Sequence, residues 1–231
     1  MARRSTAFAV LTASAALALS GCLKTDARKD DAAPAQPASS AAPASPVSPA
    51  AAGKPRVPAG WKTIGGPANG LRLSIPKSWT DIELLKGDYD RFLDGFKVEG
   101  MDKRTMRRGL EGLRKSKAVY AVDTKTVSGG FATNVNGLCQ PLGGASPAQL
   151  KNGLKIQLTR VGAQDLQVSE VTVAGRPGIL STYRLKSSTG VLEARQYVAA
   201  AGAKGCIVTV TAPQGKLPAN ADTIADTVQV L

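Results

Sequence analysis

Three cysteines and no histidine bound the chemistry this chain can carry. Without an imidazole there is no Ser-His-Asp triad, no Cys-His nucleophile and no His-ligated zinc. Carboxylate and serine–lysine groups leave a few candidates. Asp88, Asp90 and Asp94 cluster at i, i+2 and i+6, oxygen ligands of the kind calcium takes. They lack the glycine and closing glutamate of an EF-hand loop, so a solvated helix face is the simpler reading. Lys186, Ser187 and Ser188 place serine beside lysine, yet no strained elbow surrounds them, and a hairpin turn accounts for all three. Trp61 and Trp79 offer ring faces to a sugar but read more simply as core or rim packing. Asn134 and Asn136, two residues apart, face the same side of a strand. One of them makes a polar contact in a pocket, or both satisfy a strand end. No metal, cofactor or catalytic constellation is expected, and the chain reads as a non-enzyme.

The third kind of chemistry is the thiol, and it begins at the N-terminus. Arg3 and Arg4 precede an apolar run at 7–19 that is too short to cross a hydrocarbon core, which needs about 20 residues. Leu19-Ser20-Gly21-Cys22 follows. This pattern resembles the bacterial lipobox, in which the cysteine sulfur receives a diacylglyceryl group and becomes the mature N-terminus. The resemblance implies a signal peptide over 1–21, lipidation at Cys22, and a place on the outer face of the cytoplasmic membrane. A plain secretory signal cleaved elsewhere is the alternative, and the paired arginines leave both Sec and twin-arginine export open. With Cys22 lipidated, Cys139 and Cys206 remain as an even pair in an exported chain. They are expected to form a disulfide contributing roughly 3–4 kcal/mol in the chain-entropy model. Two buried free thiols are the other reading, and without histidine a catalytic thiol is disfavoured.

Residues 22–60 read as a lipidated tether. Ala, Pro and Ser dominate from Ala32 to Ala52, with almost nothing large enough to repay the entropy of ordering. Frequent proline extends such a chain by up to about 3.1 Å per residue, which suits a spacer through a wall layer as well as a plain linker. Seven of the 30 basic and three of the 17 acidic residues lie before Trp61, which leaves +9 on residues 61–231. A domain this basic beside a membrane would be drawn to anionic lipid or cell-wall polymer, with salt-sensitive strength. Nucleic acid is disfavoured by location.

Residues 61–231 read as one α+β domain. Leu71–Ile75 alternates as a strand that Pro76 ends. Tyr89, Phe92, Leu93 and Phe96 have helical spacing, weakened by Gly95 and Gly100. A second helix capped by Asp102 runs from Lys103 to Lys115, with Met106, Leu110 and Leu113 on one side. Its opposite arc carries Arg104, Arg107, Arg108, Arg114 and Lys115, a candidate surface for anionic phosphate. Strands are predicted at Ala118–Val122 and Phe131–Leu138 around a Gly129-Gly130 turn. Ser146-Pro147 starts a helix bearing Leu150, Leu154 and Leu158. Four strands then follow, at Val168–Val173, Ile179–Lys186, Leu192–Ala199 and Cys206–Thr211. Their turns fall at 175–178, 187–190 and 202–205, and a last helix covers Ala219–Val228. Hairpins interleaved with helices predict an antiparallel sheet with helices packed on it.

The strand Ala132-Thr133-Asn134-Val135-Asn136 resembles one in PsbP-like domains. The run Ala194–Val198, Gly205–Ala212 and a terminal helix is similar to the end of that fold, which actinobacterial surface lipoproteins of the LpqN type share. Leu217 departs from it, standing where an aromatic is expected. The resemblance implies a PsbP-like α/β sandwich with an accessory or binding role, and brings no catalytic residues. A non-catalytic binding lipoprotein is therefore the first expectation. A carrier of an apolar ligand and, further off, a His-free envelope enzyme are the alternatives.

Overall fold

The computed structural model describes residues 57–87, 89–95, 103–127 and 130–231. The expected signal peptide (1–21), the expected lipidation site Cys22, the expected tether up to residue 56, and Asp88, Phe96, Gly100, Asp102 and Gly129 lie outside the described residues. Among those described, the strands form two antiparallel sheets. The smaller has β1 (Trp61–Gly66), β2 (Leu71–Pro76) and β10 (Gln229–Val230), ordered β1-β2-β10. The larger contains β3 (Thr80–Asp81), β4 (Val119–Val122), β5 (Asn134–Pro141), β6 (Gln164–Val173), β7 (Arg176–Ser187), β8 (Gly190–Ala201) and β9 (Lys204–Pro213). Its order is β3-β4-β5-β9-β8-β7-β6. The helices are α1 (Asp90–Gly95), α2 (Lys103–Lys115), α3 (Pro147–Arg160) and α4 (Ala221–Asp226). The α+β architecture expected from the sequence is the one observed.

The period of two sorts each strand of the large sheet between two layers. One face meets the small sheet and α4. There Val119, Ala121, Val135, Tyr197, Val208 and Val210 pack against Leu71, Leu73, Ile75 and Ile224. The approach is close at Gly137, where a Cβ would stand 3.1 Å from side-chain carbons of both Leu71 and Val119. The opposite face carries the long helices. Met106, Leu110 and Leu113 of α2 pack with Ala118, Val122, Ala132 and Leu138. Leu150 and Leu154 of α3 sit on Ile179 and Val198, and Leu158 on Tyr183 and Ala194. Ser146 caps α3 as predicted: its hydroxyl accepts from the Gln149 N–H, and the Gln149 side chain accepts from the Ser146 N–H.

The C-terminal strands run two to four residues beyond most of their expected ends, and three other boundaries differ for local reasons. The strand predicted from Phe131 begins only at Asn134, because a loop is stapled in front of it. Thr126 Oγ1 accepts from the Thr133 N–H, and the Thr133 carbonyl accepts from the Asp123 N–H. The turn predicted over 175–178 lies one step earlier, at Ala174-Gly175, both with positive φ (50° and 74°). Gly178 is instead a strand residue of close approach: a Cβ there would meet the Val198 carbonyl oxygen at 2.5 Å. The last helix is shorter than predicted. It ends where Thr227 anchors the chain to β2, its Oγ1 accepting from the Ser74 N–H at 2.8 Å, before β10 joins the small sheet.

Candidate functional site

Cys139 and Cys206 are direct partners in the β5–β9 register and are joined as a disulfide, 67 positions apart in sequence, with Cα atoms at 4.0 Å. The pair lies at the end of the sheet against Gly70, whose carbonyl accepts from the Leu231 N–H. One covalent link thus fastens two adjacent strands beneath the β1–β2 turn and the C-terminus. Its environment is that of a closed structural bridge.

Helix α2 displays the predicted basic arc, but its neighbours divide it. Arg107 is paired with Asp90 of α1, and Lys103 Nζ sits 2.7 Å from Asp94. The lysine hydrogen bond and charge hold the Asp94 carboxyl below its ordinary range. The aspartates weighed as calcium ligands are therefore used, in Asp90 and Asp94, as partners for this helix. Among the described residues no group of three metal-ligating side chains occurs. Arg114 leans toward Glu111 at 3.9 Å, one turn away. Arg104, Arg108 and Lys115 are exposed at i, i+4 and i+11, on the side directly opposite the buried Met106–Leu110–Leu113 stripe. The sharpest cationic feature of the helix is this three-residue stripe, narrower than the five-residue arc.

The other candidates resolve structurally. Ser187 Oγ donates to the Gly190 carbonyl at 2.8 Å inside the β7–β8 turn, and Lys186 is an exposed strand residue. Trp79 is core, 3% exposed, and Trp61 packs at the rim of the same cluster. Asn134, the first residue of β5, and Asn136 are both buried on the helix-facing side of that strand. Asn134 Nδ2 donates to the Ala132 carbonyl, and Asn136 Nδ2 has no partner among the described residues.

A feature that sequence reasoning missed is a cleft of about 370 Å³ between the β1–β2 turn and the segment after β3. Ile64, Asn69, Asp81, Glu83 and Leu84 are among its lining residues. Burial, and then the nearby Glu83 charge, push the Asp81 carboxyl above its ordinary range. Glu83 is held by Lys86 at 2.7 Å. Asp81 lies on a two-residue strand that pairs only with β4, too short to announce itself by alternation. A second unforeseen group joins α4 to the sheet: Arg195 Nη1 contacts both Asp222 carboxylate oxygens (2.8 and 3.0 Å), and Tyr197 donates to the same carboxylate.

No family model matches the chain, and no curated protein does. Among solved structures the chain is similar to cyanobacterial PsbP (CyanoP) from Synechocystis. Identity is 12% and the TM-score 0.47, covering 75% of this chain and 94% of that one. It is also similar to a Bacteroides thetaiotaomicron protein at 12% identity and TM-score 0.45. The match covers 74% of this chain but only 49% of that one, so the chain spans about half of its length. A Pseudomonas aeruginosa protein of unknown function is similar at 12% identity and TM-score 0.33, covering 71% of this chain and 90% of that one.

Proposed function

We propose that this chain is a membrane-anchored envelope lipoprotein whose basic, non-catalytic domain rests against anionic lipid or wall polymer. The observation that carries the reading is Leu19-Ser20-Gly21-Cys22 directly after a short apolar run behind two arginines. Two acyl chains on Cys22 give lasting attachment where a single chain is marginal, at about 0.8 kcal/mol per buried methylene. The LpqN-type resemblance fits the same setting, a lipid-anchored surface protein outside the cytoplasmic membrane.

The α2 stripe supports the second half of the proposal. Arg108 and Lys115 are exposed on the side away from the apolar seat of the helix, where they can meet a surface. Arginine presents phosphate with two parallel donors, and each charge near an anionic surface contributes up to about 1 kcal/mol within a Debye length.

The test has two arms. The full chain made in a bacterium fed an alkyne fatty acid should take up label, and Cys22→Ser should not. Unlabelled wild-type chain would refute the anchor. The chain begun at Leu23 should then float with phosphatidylglycerol vesicles at low salt and release at high salt. Arg108→Gln with Lys115→Gln should weaken flotation several-fold. Equal flotation with phosphatidylcholine vesicles removes the role given to α2.

A further inference from the structure

The cleft of about 370 Å³ beside β3 has two walls, and both are fastened to β4 and the residues leading into it. One wall is the β1–β2 turn, where Asn69 Nδ2 donates to the Lys117 carbonyl at 2.9 Å and to the Ala118 carbonyl at 3.3 Å. The other is the segment from Asp81 to Lys86. There Asp81 pairs with Ala121 in register, and the Ile82 N–H donates to the Tyr120 carbonyl at 2.9 Å. Strand β1 is the edge of the small sheet, so no further strand fills the space between the walls. The gap is held open by backbone contacts on both sides. Its volume falls at the small end of the roughly 300–1,000 Å³ that ligand sites occupy.

The lining has a particular chemistry. Ile64, Leu84 and Val119 give it apolar surface, and Leu85 lines it while staying 42% exposed. Against that surface stands a carboxylate without a partner. Asp81 is half-buried and makes no hydrogen bond or ion pair among the described residues. Glu83, also in the lining, is engaged by Lys86 at 2.7 Å. Lys62 and Lys86 both draw the Asp81 carboxyl down, yet burial and the Glu83 charge outweigh them and hold it above its ordinary range. On a strongly basic chain, this one cleft is short of positive charge.

We infer that the cleft binds an ammonium group carried on a short apolar stem, with Asp81 as its counter-charge. An anion would be repelled by Asp81 and Glu83. A neutral ligand would desolvate the Asp81 carboxylate further and offer nothing to offset the charge. An ammonium makes a charge-assisted hydrogen bond to the carboxylate, and its methylenes cover the neighbouring apolar side chains. A free amine and the lysine side chain of a peptide share this chemistry, and the experiment separates them. The site uses no residue of the α2 stripe and does not depend on the lipid anchor.

The test uses the full chain in a non-ionic detergent at neutral pH, titrated with cadaverine and, separately, with N-acetyl-lysine methylamide. Nitrogen-15 NMR should show saturable shifts of the Asn69 side-chain amide and the Val119 backbone amide. A response to cadaverine alone assigns a free amine, and a response to the lysine derivative alone assigns a peptide side chain. Pentanediol, with the same stem as cadaverine and no charge, should produce no saturable shift. Asp81→Asn keeps the shape of the side chain. It should weaken binding of the responding probe about tenfold, with the unfolding midpoint of the ligand-free protein unchanged or higher. Asp165→Asn, on β6 at the opposite edge of the large sheet, should bind as the wild type does. If neither probe shifts these amides saturably, the site is overturned. Undiminished binding by Asp81→Asn overturns it too, because the carboxylate is then not the counter-charge. Equal binding of pentanediol removes the assignment to a cation.

Discussion

The two faces of the large sheet are built from the same strands, residue by alternate residue, yet they solve different problems. On the face toward the small sheet, Val135, Val208 and Val210 meet Leu73 and Ile224, and each of those five is at most 1% exposed. A buried polar side chain there, Thr227, is fully bonded: its Oγ1 accepts from the Ser74 N–H and donates to the Ile224 carbonyl. On the other face, the odd-even partners of those same valines are Asn134, Asn136, Thr209 and Thr211, buried nearly as deeply and only partly bonded. A polypeptide gains stability from the first arrangement and loses it in the second. The contrast marks one face as an apolar layer and the other as a covered face that keeps unpaired polar groups among its apolar clusters.

The strongest way to break the comparison is to cut into the dry face. Leu73 is fully buried where the small sheet crosses the large one, and Leu73→Ala should cost about 4 kcal/mol in denaturant unfolding. A loss near 1 kcal/mol would mean the small sheet can collapse onto the gap and is not a packed layer. The disulfide comes next. Replacing Cys139 and Cys206 together by alanine should cost about 3 kcal/mol, and reductant should reproduce the loss in the wild type. If the wild type is insensitive to reductant, the bridge does not carry the tie between β5 and β9.

The same substitution on the two faces then gives the sharper comparison. Thr227→Val leaves the buried Ser74 N–H without its acceptor and should cost about 2 kcal/mol. Thr211→Val removes a hydroxyl that had no partner and should cost nothing. Equal losses at both positions, measured by the same unfolding curves, would erase the distinction between the faces.

Much of this arrangement was legible from residue order. The apolar stripe of α2, the Ser146 cap and the four-strand meander follow from period and capping chemistry, which act over a few neighbours. The disulfide followed from counting thiols. What was not legible depends on contacts distant in sequence. Gly178 reads as a turn residue until Val198 is brought against it, and Asn136 reads as a strand-end residue until β9 places Thr209 beside it. The pairing of Arg107 and Lys103 with Asp90 and Asp94 could not be seen either, because it needs α1 folded back beside α2. The two-residue strands β3 and β10 exist only as partners of longer ones.

The smallest expected effect concerns Asp81, on the edge of the dry region, where the cleft opens. Its carboxyl is raised, first by burial and then by Glu83, so the folded protein holds the proton more tightly than the unfolded chain does. The sign follows from linkage. Below the unfolded value the carboxyl is neutral in both states, and its penalty is absent. As pH rises from the unfolded value through the folded one, ionisation disfavours the folded state, so stability from this group falls with rising pH. Asp94 works in the opposite sense: its carboxyl is lowered by Lys103, so stability from that pair is lost as pH falls. Asp94 is fully exposed and its slope is weak. Unfolding midpoints measured from about pH 4 to about pH 6 should therefore show a shallow decline in the wild type. Asp81→Asn should flatten this decline, and Asp94→Asn should not. A wild type that gains stability across this range, with Asp81→Asn unchanged, would mean that the cleft is wet enough to solvate the charge.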